Sequence, residues 1–166
     1  VISLESDFLG SGYSSLEWSV AFGKNRHVRE GKLSKLVCFD SFTSQTSANA
    51  DERFRLKPGE SLKAALAIAD ELLRTHRREV EPSVQSFTSR FSAGQVETEL
   101  HLPAGSIARI AHELGLHAGK SIVIAGESFE LQVVACLLNS ILGNEGVTVD
   151  GVAQPSNQAR GSVQDI

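Results

Sequence analysis

The stretch Lys120–Val147, KSIVIAGESFELQVVACLLNSILGNEGV, decides how this chain folds. Its first apolar run, Ile122-Val-Ile-Ala125, is too short for a helix and rich in β-branched side chains, so it reads as a buried strand. Gly126-Glu127-Ser128 make a sharp turn. Leu131, Val134, Ala135, Leu138, Ile141 and Leu142 then recur at helical spacing, with Val133 and Leu137 widening the apolar stripe. Gly143 stands where a left-handed C-terminal cap is expected. Strand, tight turn and buried helix form the repeating unit of a doubly wound α/β sheet, in which ligands sit beyond the carboxyl ends of the strands.

The same unit is visible in the rest of the chain. Val1-Ile-Ser-Leu4 reads as the first strand, with Glu5-Ser-Asp7, Gly10 and Gly12 in the loop behind it. Ser14 or Ser15 suits the cap of a short helix that carries Leu16 and Val20 on one stripe and Trp18 and Phe22 on another. Leu36–Phe39 is a second strand ending at Asp40, and Phe54–Leu56 a third, broken by Pro58-Gly59. A helix is predicted from about Glu60 to Thr75 on the stripe Leu62, Ala65, Leu66, Ala69, Leu72 and Leu73. Glu81–Leu102 has weak periodicity and reads as a long connection with short helical turns. Pro103 suits the opening of a helix with Ile107, Ile110, Ala111 and Leu114 on its core face, stopped by Gly115. The expected fold is α/β, a three-layer Rossmann-like domain over residues 1–150 with a mainly parallel sheet and helices on both faces. Residues 151–166 read as a linker or the start of a next element.

With 166 residues the chain can bury one proper core. A net charge of −4 argues against a nucleic-acid surface, and the apolar runs are too short to span a bilayer. Cys38 and Cys136 lie in apolar runs and read as buried free thiols, and the absence of a CxxC pair argues against an iron–sulfur site in this piece. Methionine is absent, Val1 begins inside a strand, and Ser162–Ile166 resemble the opening of another element, so a segment of a longer polypeptide is expected.

Candidate chemistry gathers at the strand ends. No nucleophile elbow with a base and acid can be placed around Gly126-Glu-Ser128. Gly10-x-Gly12 lacks the third glycine of a dinucleotide fingerprint, and His112 and His117 do not share a helical face for a metal. Glu5 and Asp7, alternating along an extended segment, would point apart. Lys24, Arg26, Arg29, Lys32 and Lys35 could meet an anion or line a solvated loop, and Arg74, His76, Arg77 and Arg78 suit a helix C-terminus. The polar corners that remain are Ser6-Asp7, Asp40-Ser41, Lys57–Ser61 and Gly126–Ser128. Carboxylates there suit ribose hydroxyls or guanine nitrogens, and helix starts suit phosphates; capping alone explains each corner equally well.

The same corners resemble a known family. Asp40-Ser-Phe-Thr-x-x-Thr46, Ala50-Asp51, Leu56-Lys-Pro-Gly-Glu-Ser61 with Ala64-Ala-Leu66, and Leu137-Leu-Asn-Ser-Ile-Leu-Gly-Asn-Glu-Gly146 look like successive motifs of the molybdopterin oxidoreductase superfamily, in the same order. Val1–Leu9 is similar to its first strand and loop. The resemblance implies a domain of a large respiratory subunit, not catalytic alone, providing scaffold and part of a crevice for molybdopterin guanine dinucleotide. Any iron–sulfur cluster would lie in another domain. The positions matching nucleotide contacts are Asp7, Asp40, Ser41, Thr43, Glu60 and Ser61, with Gly126 and Ser128 bordering the crevice. The chain departs from the family where Ser41 and Phe42 replace a Pro-Arg pair and Glu60-Ser61 replace Thr-Asp. In these places it is closer to the molybdopterin-like subunit of the quinol-oxidising alternative complex III, a branch that keeps the fold without the cofactor. The implied partners are the other domains of the parent subunit and further subunits of a respiratory complex, with no nucleic acid and no direct membrane insertion. A cofactor-free interaction domain and a stand-alone nucleotide-binding module are the alternatives.

Overall fold

The computed structural model describes residues 1–11, 14–27, 33–76 and 80–150. The elements in chain order are β1 (Ile2–Leu4), α1 (Ser15–Asn25), β2 (Val37–Asp40), α2 (Gln45–Ala48), β3 (Glu52–Arg55), α3 (Glu60–His76), α4 (Pro82–Thr88), α5 (Ala93–Glu99), α6 (Ser106–Leu116), β4 (Val123–Ala125) and α7 (Phe129–Ile141). The four strands are all parallel, in the order β3-β2-β1-β4, with helices on both sides, as a three-layer Rossmann-like fold requires. Register sets Ile2 beside Val37 and Val123, and Phe39 beside Phe54. Among the described residues, no helix is long and apolar enough to cross a membrane.

Alternation along the strands divides the apolar side chains between two cores. Ile2, Leu4, Val37, Phe39, Phe54 and Val123 face one way and pack with buried residues of α3, α5, α6 and α7. Phe39 and Phe54 stack there with ring centroids 4.8 Å apart. Helix α3 is the centre of this layer, and every residue of 64–69 is buried. Two close approaches fasten it. A Cβ on Gly115 of α6 would run into the His76 ring at the end of α3. The buried Glu97 carboxylate of α5 accepts from the backbone amides of Gly105 and Ile107, at 2.8 and 2.7 Å, satisfying donors at the start of α6. On the other face, Cys38 joins Phe8, Leu9 and Leu36 in a smaller core, with Val1, Phe22, Ala50 and Ile124 packed against it.

Several local expectations change. Helix α1 buries none of its residues: Leu16 and Val20 point outward, and Trp18 and Phe22 meet the edge of Phe8, with ring centroids 6.0 Å away. The loop residues Phe8 and Leu9 pack over Cys38 on this face of the sheet. Ser14 stands at the N-cap with φ of 61° and no capping bond from its side chain. The tract 81–102, read as a long connection with short helical turns, holds two seven-residue helices, α4 and α5, with Pro82 in the first turn of α4. Pro103 does not open α6, whose N-cap is the left-handed Gly105, and α6 runs past Gly115 to Leu116. Cys38 is buried as expected, whereas Cys136 and Val133 lie on the exposed face of α7 and Leu137 is only partly buried. Gly143 does take a left-handed conformation, φ 65°, directly after α7. Gly12, Arg29, Lys32, Arg77, Arg78 and the 151–166 tract lie outside the described residues.

Candidate functional site

Parallel pairing puts all four carboxyl ends on one edge of the sheet. The chain leaves β1 toward β2 and β3 on one side and returns as β4 on the other, so the switch point of the topology lies between β1 and β4. This crevice is closed at its floor. Gly126 N donates to Leu4 O at 2.8 Å, and a Cβ on Gly126 would collide with the carbonyl oxygen of Glu5. Glu5 turns sharply out of the strand, with φ of 53°, and its carboxylate accepts from the buried Ser61 hydroxyl at 2.7 Å, in the first turn of α3. Glu5 and Asp7 do go to different partners. The segment is bent at Glu5, however, and not extended as the sequence reading assumed.

Asp7 ties the β1 loop to the β2 loop. Its Oδ1 accepts from the Thr46 amide and hydroxyl at 2.9 and 3.0 Å, and its Oδ2 from the Ser11 amide and hydroxyl at 3.1 and 3.2 Å. Partial burial pushes this carboxyl up, but the bonds from Thr46 and Ser11 outweigh it and hold it below the ordinary value. Leu9 N donates to Thr46 Oγ1 at 2.9 Å, and a Cβ on Gly10 would meet the Asp7 carboxylate. The polar run after β2 folds into α2 with a reciprocal capping box between Ser44 and Ser47.

The other nominated residues are disposed along the same rim. Asp40, buried at the end of β2, holds Arg53 Nε at 2.8 Å. Burial first, and the Asp40 charge second, push the neighbouring Cys38 thiol up to about 12. Glu60 accepts from Lys57 N at 2.8 Å and closes the Pro58-Gly59 turn. Ser128 caps α7 by accepting from Leu131 N at 3.4 Å, and donates to Glu130 at 2.8 Å. Ser41 is half-buried and Thr43 exposed. The structure therefore brings Asp7, Asp40, Ser41, Thr43, Glu60, Ser61, Gly126 and Ser128 to one edge. It also brings Glu5, Thr46 and Arg53, which the sequence reading left out. Thr46 was present in the Thr-x-x-Thr spacing, but nothing in the text marked Glu5 as a partner of Ser61.

The donor set does not fit a guanine dinucleotide. Asp7, Asp40, Glu60 and Ser61 already bond their own chain. The start of α3 meets the carboxylates of Glu5 and Glu60 where a pyrophosphate would seek free amides, and like charges there oppose it. Two of the three described members of the basic segment are also engaged: Arg26 with Asp51 at 2.6 Å, and Lys35 with Glu113 at 2.8 Å. A cleft of about 1030 Å³ opens at the opposite edge of the sheet, lined in part by Lys24, His27, Lys35, His117 and Lys120. Lys24 stands in the last turn of α1, where a cation complements the helix dipole. Among the described residues, no group of three His, Cys, Asp or Glu side chains is placed to hold a metal ion.

No protein-family model and no curated protein sequence matches the chain. Among solved structures it is similar to acetylene hydratase from Pelobacter acetylenicus, with a TM-score of 0.61 and 14% identity over 88% of this chain. The chain spans 22% of that protein's length. The likeness is one of fold, and it lies within a considerably longer polypeptide.

Proposed function

We propose that this chain is a Rossmann-like domain of a larger molybdopterin-oxidoreductase-like respiratory subunit, acting there as scaffold and interaction domain and holding no guanine dinucleotide itself. Two findings support the kinship: the ordered motifs from Asp40 to Gly146, and the fold shared with acetylene hydratase. One observation carries the scaffold role. Rim groups that would receive a nucleotide are bonded to neighbouring elements of the chain, through Asp7–Thr46, Glu5–Ser61 and Asp40–Arg53. Chemistry in such a subunit belongs to the metal and pterin, and the protein supplies positioning and electrostatics. The partners on this reading are the other domains of the subunit and neighbouring subunits of an electron-transfer complex.

Calorimetric titration of the chain with guanosine diphosphate tests the scaffold role. No saturable heat is expected into the millimolar range. Saturable binding that Asp40→Asn weakens would return the rim to a cofactor crevice.

A further inference from the structure

The two edges of the sheet are finished differently. At β4, Val123 N donates to Asn139 Oδ1 at 3.0 Å, and Asn139 Nδ2 donates to Val123 O at 2.8 Å. Asn144 Nδ2 donates to the same Oδ1 at 2.9 Å and fixes the amide in place. A side chain thus stands where the peptide of a further strand would pair, and this edge is covered at Val123. At β3 there is no such cover. Glu52 N donates to Leu36 O and Leu56 N to Asp40 O, so the even-numbered residues turn their backbone groups toward β2. Alternation leaves the N–H and C=O of Arg53 and Arg55 facing away from the sheet, and no described backbone group bonds them.

On one face of this open edge the side chains after Asp51 are basic. Arg53, Arg55 and Lys57 follow at every second position on one face. Asp40 holds Arg53, whereas Arg55 and Lys57 are exposed and meet no carboxylate among the described residues. Phe42, 63% exposed, stands on the loop that leaves the neighbouring strand β2.

We propose that the β3 edge receives an extended acidic segment of another polypeptide, which joins the sheet as a fifth strand. Alternating N–H and C=O groups are complemented by another peptide backbone and not by a nucleic-acid strand. Arg55 and Lys57 select for Asp or Glu at alternate positions of the incoming segment, and Phe42 offers an apolar contact beside them. A second copy of this edge is rejected, because pairing β3 with β3 sets arginines against arginines. The edge lies beside the rim, and its role stands whether or not the rim holds a ligand.

Amide hydrogen exchange of the whole chain, followed by NMR, tests this with an alternating Glu-Val peptide of about eight residues and a Lys-Val counterpart. The Arg53 and Arg55 amides are expected to slow with the Glu-Val peptide alone. Reversing both exposed cations, Arg55→Glu with Lys57→Glu, is expected to weaken that peptide roughly tenfold. Unchanged exchange at Arg53 and Arg55 under saturating peptide, or equal slowing by Lys-Val, would overturn the proposal. So would slowing that grows with protein concentration when no peptide is present, which would identify a second copy as the occupant.

Discussion

Gly126 has room for a hydrogen and nothing larger. A methyl group there meets the Glu5 carbonyl, which is backbone and cannot swing aside. Gly126→Ala must therefore part the ends of β1 and β4, and the expected cost is about 1–3 kcal/mol, typical of overpacking. The measurement is a urea titration, with a lower midpoint and an unchanged slope expected; an unmoved midpoint would mean that the contact is slack. The sequence marks Gly126 as a turn residue after a strand, and that much is legible. Its second duty as a spacer is not, because the atom it makes room for belongs to a residue far away in the text. Asp7 was readable as a polar group at a strand end. That it accepts four bonds from Thr46 and Ser11 depends on a loop geometry that no spacing encodes.

At the level of elements, β4 announces itself through a short β-branched run and α3 through an unbroken apolar stripe, whereas β3, with no β-branched residue, begins at Glu52, two residues before the run Phe54–Leu56 read as a strand. Helix α7 was also plain, but one of its positions was not. Asn139 lies between Leu138 and Ile141, two residues of the buried stripe, and in the text it is only a polar interruption. In space its carboxamide satisfies both outward backbone groups of Val123. Asn139→Ala leaves a buried N–H and C=O without partners, at an expected cost of about 1–3 kcal/mol, readable by thermal or chemical denaturation. A variant as stable as the parent would show that water or a shift of α7 replaces the amide. Helix α1 shows the converse. Its period was legible as two apolar stripes, but that neither would be buried was not, because Phe8 and Leu9 cover the sheet beneath it. Periodicity says that a helix has an apolar side; it does not say what else competes for the same surface.

Across the whole molecule, acid should loosen the fold. Asp7 is held low by Thr46 and Ser11 against its partial burial, Asp51 by the Arg26 hydrogen bond first, and Glu113 by the Lys35 hydrogen bond first. Carboxyls whose folded values lie below their unfolded ones contribute stability that is complete above the ordinary range near pH ~4 and lost as pH falls through the folded values. The unfolding midpoint is expected to fall below about pH 4. Asp7→Asn should reduce that fall, and a midpoint that rises on acidification would contradict the assignment. The layer order was legible at this scale because strand–helix alternation admits few parallel topologies. The state of the rim was not, since each corner had to be seen bonded to another.

The unequal cores on the two faces of the sheet bear on how such a chain can diverge. Nearly every change along α3 disturbs something packed around it, while most of α1 can be rewritten at little cost. Over many generations the lightly held face would drift toward unrelated text, and the heavily packed one would keep only its size and shape. An ancestral architecture can in this way outlast almost all of the letters that once spelled it.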